Sequence, residues 1–205
     1  SDTAELSFDN VKVPVENLVG DEGAGFYYLM NGLQLERLCF IPCAVVAMEQ
    51  AIENSLQYMS ERVAFGRPIN KFQVLRHRIA QLASEVEALK AFSYHACELY
   101  AKGIYDVKKC SMAKLICTEL NEKVATQCLQ FYGGYGFMED YPMARMYRDC
   151  RVGTIGGGSS EIMREIIAKV VIDSMDYKKA ESTYNSSKEN SEVSFFKEEH
   201  HLFRQ

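Results

Sequence analysis

The sequence predicts an all-α fold, an antiparallel four-helix bundle preceded by a short extended segment. Three observations carry that expectation. Apolar residues recur at spacings of three and four over long stretches starting near Gly25, Phe72, Tyr105 and Ser159. Glycine and proline (Gly66, Pro68, Gly103, Gly156-Gly157-Gly158) punctuate those stretches. Short connections between long helices favour antiparallel neighbours.

Before the first helix, Leu6, Phe8, Val11 and Val13 lie in an apolar-rich run that ends at Pro14 and reads as a strand. From Gly25 to Ala64 the periodic residues are Leu29, Leu33, Val45, Met48, Ile52, Leu56, Met59 and Val63. They predict one long helix, bent near Pro42, which lacks a backbone donor. The second helix, Phe72 to Lys102, shows a single stripe of Leu75, Ile79, Leu82, Val86, Leu89, Ala96 and Leu99. The third, Tyr105 to Tyr132, carries Ala113, Ile116, Leu120, Val124 and Phe131. The last follows the triglycine to about Met175 through Ile162, Ile166 and Val170. Beyond Asp176 the chain turns polar and loses its period, which predicts a disordered tail. The expected organisation is therefore 1–24, 25–176 and 177–205.

Composition excludes several functions. With 205 residues, 47% of them hydrophobic, the chain can bury one sizeable core. A net charge of −5 argues against binding a phosphate backbone. No apolar run reaches the roughly eighteen residues that a membrane span needs. The cysteines number 7, an odd count with no C-x-x-C, and most sit in helical patterns. Reduced, buried thiols in an intracellular protein fit them better than a disulfide framework. Glu198-x-x-His201 has the spacing of a di-iron ligand pair, but it stands in the tail, and such sites need the pair on two bundle helices. No metal site is expected. His77 and His95 have no partner pattern and read as structural.

The stretch from Gln130 to Val171 holds two glycine clusters, Gly133-Gly134-x-Gly136 and Gly156-Gly157-Gly158, with an aromatic and basic segment between them. The second runs into Ser159-Ser160-Glu161, a capped helix start whose free N–H groups would favour an anion. A plain turn and cap explains the same residues. Neither cluster fits a dinucleotide fingerprint or a P-loop. Glu36-Arg37, among Leu33, Leu35, Leu38, Phe40 and Ile41, is either a solvated helical glutamate or a carboxylate in an apolar neighbourhood. Arg62-x-x-Phe65-Gly66 offers a planar fork for a pyrophosphate, or an arginine facing a helix C-terminus.

Taken in order, these residues resemble the C-terminal helical domain of acyl-CoA dehydrogenases. The resemblance rests on Gln130, Gly133, Gly134, Gly136 and Phe137, then Asp140, Pro142, Arg145, Arg148 and Asp149, then Ile155, Gly158, Ser159, Glu161 and Ile162. It extends from about Leu6 to Met175. It implies an FAD-dependent oxidoreductase that removes hydrogen across the α,β bond of an acyl-CoA, in fatty acid or branched-chain amino acid catabolism. Implied partners are electron-transfer flavoprotein and further copies of the chain, as a dimer or homotetramer. The implied location is the mitochondrial matrix, or the cytoplasm in a bacterium. By the same resemblance residues 5–26 look like the last strand of a middle β-domain and its exit into the helical domain, so that β-domain and an N-terminal helical domain would be missing here. The chain alone is then expected to be weakly active or inactive.

Most family members carry the catalytic glutamate in a Tyr-Glu-Gly triplet where this chain has Gly156-Gly157-Gly158. Isovaleryl-CoA and long-chain members place it instead on the first helix of this domain, where Glu36 falls. A general base needs only to reach the α-carbon, whichever element carries it. Gly156, in place of the usual tyrosine, would widen the acyl pocket and favour a branched chain. The resemblance also implies FAD contacts for Arg62, Phe65, Phe72 and Gln73 from a neighbouring subunit, for Gln130, Phe131, Tyr132, Gly133 and Gly134 on the adenine side, and for Ser159, Ser160 and Glu161 nearer the flavin. Gln34, Arg37, Gly157 and Gly158 would line the acyl-CoA path. Two competing readings remain: a non-catalytic helical oligomerisation module, and an unrelated helical signalling protein, which the ordered motifs count against.

Overall fold

A computed structural model describes residues 4–177, which divide into two compact units, 4–31 and 32–177. Among these residues the helices are α1 (Gly25–Glu61), α2 (Gln73–Ala101), α3 (Val107–Tyr132), α4 (Pro142–Cys150) and α5 (Ser160–Val171). The only strands described are β1 (Val63–Ala64) and β2 (Arg67–Pro68), which pair antiparallel.

In the first unit the strand expected at residues 6–14 does not form, and Leu6, Phe8, Val11 and Val13 are exposed. A strand needs a neighbour for its backbone groups and a face to bury, and no described residue pairs with this run. A 3-10 turn at Val15–Asn17 leads to Gly20. There φ is +73° and a Cβ would come within 2.5 Å of the Tyr28 ring, so only glycine fits. The Tyr28 hydroxyl accepts the Asp21 N–H at 3.1 Å, which ties this turn to the start of α1.

The core of the second unit forms where α1, α2 and α3 turn their apolar stripes inward. Ile41, Val45, Met48, Ile52 and Met59 of α1 meet Ile79, Leu82, Val86 and Leu89 of α2 and Ala113, Cys117, Leu120, Val124 and Cys128 of α3. Helix α2 runs against α3, with Lys123 paired to Glu85 and Lys90 to Glu49 of α1, both at 2.7 Å. Helices α1 and α3 run the same way. The Cys110 thiol donates to the Gln34 carbonyl at 3.6 Å, the Cys117 thiol to Ile41 at 3.8 Å, and the Tyr132 hydroxyl to Asn54 at 2.9 Å.

Several boundaries differ from expectation. Helix α1 runs unbroken through Pro42 but stops at Glu61, because Val63–Ala64 joins a hairpin turned by Phe65 and Gly66, both at positive φ. Leu29, Leu56, Val63 and Ile116 keep the helical period yet are exposed. Helix α4 makes five helices among the described residues where four were expected. Pro142 starts it, and Met143, Ala144 and Cys150 are its buried residues. Cys110, Cys117, Cys128 and Cys150 are buried, but Cys39 and Cys43 are exposed, against the expectation of burial. Tyr177 is buried; the polar tail and Glu198-x-x-His201 lie outside the described residues. No helix among the described residues is long and apolar enough to cross a membrane.

Candidate active site

A cleft of about 240 Å³ opens beside the triglycine, lined by Glu36, Arg37, Phe40, Lys114, Val152, Gly153, Gly156 and Gly157. Glu36 and Phe40, one helical turn apart on α1, form one wall. Arg37 turns inward, is only 5% exposed, and donates from Nε to the Gly157 carbonyl at 2.8 Å. Lys114 of α3, 2% exposed, donates from Nζ to the next carbonyl, Gly158, at 2.5 Å. Burial and the nearby Arg37 charge both push the Lys114 pKa down.

The turn these cations hold requires glycine. Gly157 and Gly158 have φ of +63° and +99°, and a Cβ on Gly158 would stand 2.8 Å from the Met163 methyl. At Gly157 there is room. A Cβ there would lie 3.9 Å from Glu36 Oε1 and 3.9 Å from Arg37 Cγ. The Glu36 carboxylate therefore stands beside the space that a residue-157 side chain would enter.

Of its two sequence readings Glu36 takes the solvated one: its side chain is exposed. Its apolar sequence neighbours spread around the helix: Leu38 and Ile41 go to the core, while Leu35 and Phe40 stay outside. Gln34 does not share the Glu36 cleft. Residues two apart on a helix do not face each other, and Gln34 is buried in a cavity of about 10 Å³ with Leu38, Ala96, Tyr105 and Cys110. Gly158 reaches the site through its carbonyl alone.

At the start of α5 the Ser159 hydroxyl accepts the Ile162 N–H at 3.4 Å, the cap that its sequence position suggests. Ser160 is buried, and its hydroxyl has no hydrogen-bond partner among the described residues. Glu161 projects into solvent, its carboxyl held below the usual range by its own N–H and the Ser159 hydroxyl.

A second cleft, of about 450 Å³, gathers Arg62 with Gln130, Phe131, Tyr132, Gly133 and Gly134, over Tyr58, Tyr135 and Met138. The Tyr58 and Tyr132 rings stack at 4.1 Å. The Arg62 guanidinium lies 5.5 Å over the Tyr135 ring. Burial pushes the Tyr132 phenol up to about 12. Phe65, at the hairpin tip, is 96% exposed and meets Phe72 edge-on at 6.2 Å; Arg67 covers the Phe72 ring at 4.3 Å. Phe65, Phe72 and exposed Gln73 do not line the cleft. No residue lines both clefts.

Lys114, Phe40, Val152 and Gly153 were not legible as site residues, nor were Tyr58, Tyr135 and Met138. Lys114 did leave a signal: it is the one charged residue among the buried positions of α3, between Cys110 and Cys117. Among the described residues no group of His, Cys, Asp and Glu could hold a metal.

The fold and site define a helical domain, and residues 23–172 match the profile of one described as the acyl-CoA dehydrogenase C-terminal domain. The chain belongs to the acyl-CoA dehydrogenase family. It is 41% identical over 172 residues to an acyl-CoA dehydrogenase of Bacillus subtilis, covering 84% of this chain and 45% of that protein. It is 40% identical over 171 residues to the rat mitochondrial long-chain specific acyl-CoA dehydrogenase, covering 83% and 40%. A crystal structure of acyl-CoA dehydrogenase from Geobacillus kaustophilus superposes with a TM-score of 0.78 at 41% identity, covering 80% of this chain and 43% of that one. The chain thus spans less than half the length of the curated relatives it matches.

Proposed function

We propose that this chain supplies the C-terminal helical domain, about residues 25–176, of an FAD-dependent acyl-CoA dehydrogenase, with Glu36 as the base. One observation carries the reading. The position that usually bears the base is Gly157, and the Glu36 carboxylate stands 3.9 Å from where its side chain would begin. A base placed there takes the proton from the acyl α-carbon while the β-carbon gives up a hydride, leaving a double bond between them. Arg37 and Lys114 hold the turn that forms the opposite wall.

The residues fit FAD. The second cleft offers a guanidinium, stacked aromatic rings, and open backbone at Gly133 and Gly134, where a Cβ would meet nothing within 4 Å. Arg62 and the Gln130–Gly134 stretch would hold the pyrophosphate and adenine end, with Phe65, Phe72 and Gln73 beside them. Ser159, Ser160 and Glu161 would meet the part nearer the flavin. Bound FAD would supply the hydride acceptor. As in the family it resembles, a second copy of the chain would supply Arg62, Phe65, Phe72 and Gln73 to each cofactor site, in a homotetramer. Electron-transfer flavoprotein would then reoxidise the enzyme.

Glu36→Gln in the complete protein tests this. Glutamine keeps the size and loses the basicity, so kcat should fall by at least about 10²-fold while flavin and acyl-CoA binding stay nearly intact. Full turnover would show that the base lies elsewhere. A non-catalytic helical module is the second reading, favoured by the exposure of Glu36 on this chain. A colourless complete protein, without the visible absorption of flavin, would support it.

A further inference from the structure

The buried charge that helps to hold the turn opposite Glu36 has a consequence for catalysis. Lys114 is 2% exposed and sits on the core-facing stripe of α3, between Cys110 and Cys117. It makes no ion pair among the described residues; its hydrogen-bond acceptor is the Gly158 carbonyl at 2.5 Å. A methionine would fill the same apolar space without the cost of dehydrating an ammonium. The position of the lysine headgroup therefore calls for an explanation other than packing.

Its geometry supplies one. Arg37 comes from α1 and Lys114 from α3, and they grip the carbonyls of consecutive glycines, 157 and 158. Both peptides lie in a left-handed conformation that glycine adopts freely, so glycine itself does not hold them there. Charge-assisted hydrogen bonds are short, directional and about twice as strong as neutral ones, and two on successive carbonyls fix the orientation of the peptide planes between them. The same turn carries Gly157, whose empty side-chain space faces Glu36 at 3.9 Å, and all of these groups except Gly158 line one cleft.

We propose that Lys114 is a positioning residue: it clamps the Gly157–Gly158 turn from α3, so that the wall opposite Glu36 keeps the spacing at which an acyl α-carbon meets the carboxylate. The proposal rests on Glu36 being the base. Lys114 does not touch the reacting atoms. It acts through the turn, and its loss lets a flexible glycine segment drift relative to α1.

The test is made in the complete protein with Lys114→Met, which removes the donor but keeps the apolar stem, and Lys114→Arg, which keeps a charged donor. For Lys114→Met we expect a fall in kcat of about 10- to 100-fold, since sub-ångström to ångström misplacement costs that much, with KM for acyl-CoA changed less than about threefold. Lys114→Arg should recover most of the loss. Amide exchange at Gly157, Gly158 and Ser159 should quicken in Lys114→Met while α2 stays protected. In a Glu36→Gln background, adding Lys114→Met should cost little more, because the clamp matters only for a working carboxylate. Unchanged kcat in Lys114→Met, or losses that simply multiply with those of Glu36→Gln, would overturn the proposal. Should Lys114→Met fail to fold, Lys114→Gln is judged by the same criteria. If Glu36→Gln alone keeps full turnover, the base assignment fails first; if it does not and Lys114→Met is normal, only the clamp fails.

Discussion

At the scale of single residues, the site depends on what residue 157 lacks. Gly157 has room for a side chain beside Glu36, but at φ +63° an L-residue is strained by roughly 1–2 kcal/mol. Gly157→Glu in a Glu36→Gln background should therefore restore part of the turnover and lower stability by about that amount. Stopped-flow flavin reduction and urea titration read the two effects, and no recovery would mean that position 157 does not face the α-carbon. Buried thiols make a second prediction. Burial pushes Cys110 and Cys117 from the ordinary 9.0 up to about 12. Between those values the unfolded chain releases thiol protons that the folded chain keeps, so stability falls as pH rises. Lys114 acts the other way: its pKa is lowered, the unfolded chain binds the extra proton, and its share of stability rises with pH. The two thiols and the raised Tyr132 phenol act in one direction against the single amine. Urea midpoints should drop steadily from about pH 9 upward, and Cys117→Ala should make the descent shallower. A flat profile would contradict the burial argument.

At the scale of elements, caps and hairpins set the helix ends. Asp106 opens α3, where its carboxylate accepts the Lys109 N–H at 2.8 Å and pairs with the Lys109 ammonium at 2.6 Å. Asp106→Ala should cost about 1 kcal/mol in urea unfolding, the usual worth of such a cap. A change within about 0.2 kcal/mol would show that Lys109 gains as much from solvent. Periodicity located α1, α2, α3 and α5 but misjudged their ends by a few residues. Arg62-Val63-Ala64 has an acceptable helical pattern, and only pairing with Arg67–Pro68 turns it into a hairpin. Helix α4 is hidden from periodicity because nine residues give only about two and a half turns of pattern.

At the scale of the whole molecule, the described residues leave much apolar surface open. Leu35, Phe40 and Val46 on α1 are exposed, as is Ile116 of the roughly 540 Å³ cleft between α2 and α3. Exposed apolar side chains of this size are frequent on faces that pack against another chain. We expect self-association, checked by light scattering at micromolar concentration; a clean monomer would count against it.

By itself the sequence determined the helical class and the three long inward stripes, because a 3.6-residue period is a local property that survives without coordinates. It also determined the family, through an ordered set of glycine, arginine and acidic positions, and it singled out Glu36 and Gly157 as a matched pair. Only the tertiary structure decided which periodic residues are buried, since Leu56 and Met59 share a pattern but not a face. It alone separated Gln34 from Glu36, left Glu36 exposed, and gathered Arg62 with Gln130–Gly134 in a cleft that shares no lining residue with the Glu36 cleft. It also brought Arg37 and Lys114, which lie on different helices, to neighbouring carbonyls of one turn. Such convergence depends on how helices distant in sequence pack together, which no local pattern records.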